Sequence, residues 1–356
     1  MKKNIFLWVA VFAVGAMSSC SVDKVVDQAE ARYIGFDPFA NKVTRATTTA
    51  QGLGHSSFSV FGRYEEETST YNVIFNSTEV KWTGSDLDDA SGSWKYEPLV
   101  PWVSSKEYEF AAIAPYSASY EDAYDYTDDT YTLGSITLNA AMSDSKYTNQ
   151  IDYMTAATVS QNSGTSTDAV SFTFNHIASK IDFNFRPKTA DPNAWLSPVK
   201  IDIKKITLAQ VNTVNAYNES SWGTSTTPGT FEKGDGSAIY GTTTYDGTST
   251  KALDGQFSWL VVPQTETDAS SRALTIKFDV STKDATGAYN VKVLTNKEAT
   301  IDITTDWNKN THYTYTVYIG SNVLGTDPYI TFDVEKVENW TPGTSNSLNV
   351  PTTTAP

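Results

Sequence analysis

The sequence predicts an all-β protein, and three observations carry that prediction. Thr, Ser, Tyr, Val, Asn and Gly dominate, helix formers are sparse, and no long apolar run repeats with a helical period. Apolar residues alternate instead. Leu274, Ile276, Phe278 and Val280 are interleaved with Thr275, Lys277 and Asp279, and Tyr313, Tyr315, Val317 and Ile319 with Thr314, Thr316 and Tyr318. A period of two, filled by β-branched and aromatic side chains, marks half-buried strands. Third, turn-forming clusters at 223–237, 245–251 and 282–288 separate these runs. Such a pattern fits β-sandwiches.

From the N-terminus, Met1-Lys2-Lys3 is a short basic segment, and Ile5 to Ala16 is an apolar run. That run falls short of the roughly 20 residues needed to span a bilayer, so it reads as an export signal. Ser18-Ser19 and then Cys20 follow, and Cys20 is the chain's single cysteine. This arrangement resembles a lipoprotein cleavage box, with residues 1–20 as signal peptide and Cys20 as the lipidation site. Several acyl chains on that residue anchor a protein stably where one does not. With one cysteine in the sequence no intramolecular disulfide forms, so stability must come from apolar cores.

Residues 32–39 alternate through Ile34 and Phe36 and form a candidate strand. Asn41 to Gly52 is small and polar, with Arg45, one of five arginines, in its middle. An arginine in an exposed, flexible segment suits a trypsin-like protease, and a solvated surface charge is the competing reading. Phe58 with Val60, Val73 with Phe75, Ile201 with Ile203, Val291 with Val293, and Ile330 with Phe332 and Val334 continue the alternation. The length suffices for two domains. A polar stretch at 160–169 suggests their boundary, giving an N-terminal domain over 46–165 and a C-terminal one over 168–340. Residues 341–356 form a tail.

The net charge of −15 repels polyanions, so nucleic acid and anionic lipid surfaces are poor partners. No constellation for catalysis stands out. His55, His176 and His312 have no cysteine or second histidine at ligand spacing, and no nucleophile elbow, phosphate loop or dinucleotide fingerprint is present. Asp86, Asp88 and Asp89 offer carboxylates, but the glycine that follows falls one place late for an EF-hand loop. The Tyr- and Asp-rich segment 120–129 reads as a solvated loop or as a display of tyrosines to a partner. Expected, therefore, are no catalytic residue, no metal and no cofactor.

An ordered series of aromatic motifs runs along the chain: Val80 and Trp82, "WKYEP" (94–98), "PW" (101–102), "YEFAAIAPY" (108–116) and "QIDYMTA" (150–156). It continues with "VSFTFNHIASKIDFNF" (170–185), "FSWLVVPQ" (257–264), "WNKNTHYTYTVYI" (307–319) and "ITFDVEKVENW" (330–340). With the lipoprotein signal, the series resembles the fimbrillin family of Bacteroidales, pilins and pilus-like surface lipoproteins. The resemblance implies two β-sandwich domains of transthyretin-like topology and no enzymatic role. It implies a precursor at the outer membrane, held there by its lipid, and later a cell-surface fimbrium. An arginine-specific protease would cut between Arg45 and Ala46. The removed piece, the propeptide 21–45 with the lipidated Cys20 at its head, would carry the lipid and the strand of Ile34 and Phe36. Other fimbrial subunits, alike or different, and a host or bacterial surface ligand are the implied partners.

In polymerising members of that family the C-terminal segment fills the vacated groove of a neighbour. Here 341–356 is a poor strand, with Leu348 and Val350 its only large apolar residues and Pro351 next. Either the donor includes 330–340, or this subunit receives a strand without giving one, as a tip or accessory pilin would. The competing function is a surface glycan-binding lipoprotein, with Trp195, Trp222 and the loop 120–129 stacking on sugar rings.

Overall fold

A computed structural model of the chain describes residues 32–40, 53–125, 132–133, 136–137, 150–213, 216–218, 222–223, 228–265, 272–324 and 331–339. In chain order the strands are β1 (Phe36–Ala40), β2 (Ser57–Glu67), β3 (Thr70–Trp82), β4 (Trp94–Lys95), β5 (Glu107–Ala114), β6 (Tyr124–Asp125) and β7 (Thr132–Leu133). Next come β8 (Ile136–Thr137), β9 (Met154–Asn162), β10 (Val170–His176), β11 (Ser179–Pro187), β12 (Val199–Val211), β13 (Ala216–Tyr217) and β14 (Gly229–Lys233). The rest are β15 (Gly241–Tyr245), β16 (Thr250–Lys251), β17 (Leu253–Val261), β18 (Arg272–Thr282), β19 (Val291–Ile303), β20 (Thr311–Ile319) and β21 (Thr331–Asn339).

The first half of the chain builds one seven-stranded ladder in the order β1-β10-β9-β5-β2-β3-β4. The ladder curls over, because Phe36 of β1 packs against Phe75 of β3, at 5.3 Å between ring centroids, and against Tyr96 just beyond β4. Two faces thus enclose one core of Phe58, Val60, Phe75, Phe110, Phe172 and their neighbours. The second half is a sandwich of a four-stranded sheet, β17-β11-β20-β21, and a larger one, β16-β15-β12-β18-β19, with β14 also on β12. Phe183, Phe257, Trp259 and Tyr315 from one sheet meet Ile203, Leu208, Ile276 and Phe278 from the other. The alternating runs of the sequence supply these inward faces.

One expectation changes. The polar stretch 160–169 is not a boundary: β9 and β10 pair antiparallel on either side of it, in the same ladder. Hairpin turns and linkers draw on the same Gly, Ser and Thr residues, so composition could not separate them. The chain leaves the first ladder after His176, and Ile177-Ala178 lead directly into β11.

The halves meet across a third apolar cluster of Phe61, Ala111, Ile113, Tyr120, Tyr153, Ile177, Leu260 and others. This explains the continuous apolar run at 110–114. Phe110, Ala112 and Ala114 face the first core, while Ala111 and Ile113 face the junction. Two side-chain amides tie the halves reciprocally. Gln150 donates to the carbonyl of Leu260 at 2.7 Å and accepts from its N–H at 2.6 Å. Asn310 accepts from the N–H of His176 at 3.3 Å and donates to the Asn175 side chain at 3.2 Å. Nearby, the His176 Nδ1 lies 2.7 Å from an Asp152 carboxylate oxygen, and the His55 Nε2 lies 2.7 Å from the Asp152 carbonyl.

Gln150→Ala should leave both Leu260 backbone groups without this partner and cost about 1–3 kcal/mol, read as a lower urea midpoint. An unchanged midpoint would mean that water replaces the amide without loss. His55 supplies a pH prediction. Burial lowers its pKa from 6.5, so the folded chain prefers it neutral. Below pH 6.5 the unfolded chain takes up that proton first, and stability should fall as the pH drops toward the lowered folded value. His55→Gln should flatten that part of a stability-against-pH curve.

Candidate functional site at the first strand

Residues 32–40 occupy a trough between the two ends of the curled ladder. On one bank β1 pairs parallel with β10, from Phe36 opposite Val170 to Ala40 opposite Phe174. The Val170 N–H also donates to the Gly35 carbonyl at 2.8 Å. On the other bank the Ile34 N–H donates to the Val100 carbonyl, and the Trp102 N–H to the Arg32 carbonyl, both at 2.9 Å. Arg32 Nη1 adds a 2.8 Å bond to Thr167 Oγ1 in the β9–β10 turn. Pro38 has no N–H, which a strand at the end of a ladder tolerates.

The floor of the trough is aromatic. Phe36, 8 % exposed, stacks on Phe172 with centroids 5.8 Å apart and meets Phe75, Tyr96 and Phe110 at steeper angles. Ile34 is 1 % exposed beside it. The Tyr96 hydroxyl donates to the Ile34 carbonyl at 2.8 Å and accepts from the Val100 N–H at 3.2 Å. Burial raises the Tyr96 pKa, so this phenol stays protonated and remains a donor. Trp102 closes the end of the floor, edge-on to Tyr108 and Phe110.

This site holds an extended strand. Taking the strand away would uncover an apolar floor and free the N–H and C=O groups of β10, and both are costly in water. Ile34 and Phe36 thus share one buried face, whereas Cys20, Arg45 and Ala46 lie outside the described residues. Sequence reasoning did not identify Tyr96, Val100 and Trp102 as the far bank. Tyr96 and Trp102 fall in the motifs "WKYEP" and "PW", but their partner lies more than sixty positions upstream.

Other candidates have structural work. Trp195 is buried in the second sandwich and donates its indole N–H to the Ile319 carbonyl at 2.6 Å, so it offers no face to a sugar. Trp222 is half-buried, edge-on to Tyr217, with its N–H on the Ile177 carbonyl. Tyr120 and Tyr124 are buried at the junction rather than displayed. The Asp89 carboxylate accepts from the Ser85 and Ser91 N–H groups and shapes its own turn. Among the described residues no group of three or more His, Cys, Asp or Glu is placed to hold a metal, and no helix is long and apolar enough to cross a membrane.

A family model described as fimbrillin-like matches residues 44–340. The chain is 24 % identical to "Fimbrium subunit Fim1C" of Phocaeicola vulgatus over 388 aligned positions, covering 96 % of this chain and 97 % of that one. Its fold is similar to that of a fimbrial protein from Bacteroides vulgatus, with a TM-score of 0.59 at 19 % identity, over 87 % of this chain and 100 % of the other. A candidate cell adhesion protein from Bacteroides ovatus shares the fold with a TM-score of 0.51 at 16 % identity, over 87 % and 98 % of the two chains.

The four-ring contact makes Phe36 the costly position to empty. Phe36→Ala in the intact chain should lose about 3–5 kcal/mol of unfolding free energy. Tyr33→Ala, at a side chain 51 % exposed, should stay within about 0.5 kcal/mol of wild type. Equal effects of the two in chemical denaturation would remove the trough from the core.

Proposed function

The chain belongs to the fimbrillin-like family, and from that premise we propose that it is a structural subunit of a surface fimbria assembled by proteolysis-triggered strand exchange. The observation that carries this reading is the position of β1. It fills an aromatic trough from the N-terminal side of Arg45, and the match to the family begins at residue 44. On this reading the exported precursor is acylated on Cys20 and held at the outer membrane. Its own strand keeps the trough filled and the subunit monomeric. An arginine-specific protease cuts between Arg45 and Ala46, and residues 21–45 leave together with the acylated Cys20. A strand from another fimbrial subunit then completes the β10 edge by β-augmentation. Each large apolar anchor buried there contributes roughly 1.5–3 kcal/mol, less the cost of ordering the incoming segment. The filament so formed serves adhesion to a host or bacterial surface ligand and needs no catalytic group.

Arg45→Ala should block the cut and leave a lipid-anchored monomer. Lys42, three residues upstream, gives a lysine-accepting protease a secondary site. Limited trypsin on the folded wild-type chain should release a fragment ending at Arg45, identified by mass, and the remainder should oligomerise or take up strand peptides. Arg45→Ala subunits entering filaments as well as wild type would overturn the processing mechanism.

A further inference from the structure

We infer that the trough selects its incoming strand by an aliphatic–x–aromatic pattern, with the aromatic residue seated where Phe36 sits. The inference rests on the strand-exchange reading above and names the chemistry of the partner. Three observations define the pattern. First, the Phe36 ring lies 15° from coplanar with Phe172 and at 74° and 78° to Phe75 and Phe110. These offset and edge-to-face contacts exploit the ring quadrupole, and an aliphatic side chain cannot reproduce them. Second, the residue two places earlier is read separately, because Ile34 is 1 % exposed and the Tyr96 hydroxyl binds its carbonyl at 2.8 Å. That bond fixes register, since a slip of one residue turns the apolar face out of the trough. Third, the position between them is permissive. A Cβ added to Gly35 would meet the Ala169 Cβ at 3.6 Å, an ordinary contact, so a side chain is admitted there.

Of the two C-terminal segments weighed as donors, 330–340 meets this description and 341–356 does not. Tyr33-Ile34-Gly35-Phe36-Asp37 recurs as Tyr329-Ile330-Thr331-Phe332-Asp333, identical except at the permissive position. Residues 341–356 contain no aromatic side chain. A strand of the Ile-x-Phe type, carried by another subunit, is therefore the occupant the trough fits. A strand like 341–356, with Leu348 and Val350 as its anchors, leaves the four-ring floor unfilled.

The test uses the full chain, cut after Arg45 with trypsin, and fluorescent peptides that must displace the resident strand, followed by anisotropy and native electrophoresis. Peptides 32–40 and 329–339 should both enter. Phe36→Ala and Phe332→Ala versions should bind about a hundredfold more weakly, and 341–356 should fail to compete. Entry of 341–356 at an affinity near that of 32–40, or an unchanged affinity for the Phe36→Ala peptide, would overturn the pattern. So would exclusion of 329–339 while 32–40 enters. In those three cases strand exchange itself still stands. If no peptide enters, not even 32–40, the strand-exchange reading falls and the inference falls with it.

Discussion

The stacking of Phe36 on Phe172, with Tyr96 fastened to the Ile34 carbonyl, holds the two ends of a seven-stranded ladder together. A twisted sheet of that width exposes one face of its core unless something closes it. Here the closing element is a short segment with hydrogen bonds to both banks. The burial of Phe75, Phe110 and Phe172 follows from that closure. So does the pairing of β10, whose other neighbour is β9.

What happens at the trough reaches the second half through few steps. β10 lies against β1 along Val170–Phe174, and with only Ile177 and Ala178 between, the same chain passes from His176 into β11. β11 sits between β17 and β20, inside the four-stranded sheet. Tension on a strand held in the trough would therefore pass as shear into β10 and along the covalent backbone into the second sandwich. Asn310 and Gln150 brace that passage from the side, and the central strands β2 and β5 are packed on both faces. Side-chain amides give that junction direction where apolar contact alone would let the halves slide.

The sequence revealed the strands more readily than their partners. Alternation located β12, β18 and β20 because one inward face of large apolar side chains leaves a period-two trace. The run "FAAIA" at 110–114 hid the fact that β5 serves two cores, since burial on both faces erases that trace. Ile34 and Phe36 were legible as one face of a strand. Their floor was not, because Phe75, Phe110 and Phe172 are scattered along the chain and only the curl of the ladder brings them together. Trp195 misled in the opposite sense. A tryptophan beside Pro192 and Ser197 reads as a surface ring, yet its indole is buried on the Ile319 carbonyl.

Charge is distributed unevenly along the strand edges of the fold. β19, at the edge of the larger sheet, carries Lys292, Lys297 and Glu298, and charged residues along an edge oppose pairing with another chain. Elsewhere the net charge is negative, and several exposed carboxylates are held ionised by their own turns. In the exposed turn at Asp284, bonds from Thr286, Asn290 and neighbouring N–H groups hold the carboxyl at about 2, and Asp89 and Asp246 are lowered by similar turns. Like-charged subunits therefore repel at long range. β10 differs: Val170, Ser171, Phe172, Thr173 and Phe174 carry no charge, and their partner face is apolar. An uncharged edge beside an aromatic floor is the kind of surface on which a second strand gains both a ladder and a core. A resident strand with Phe36 at its centre keeps that surface occupied, and the acidic exterior disfavours less specific contacts.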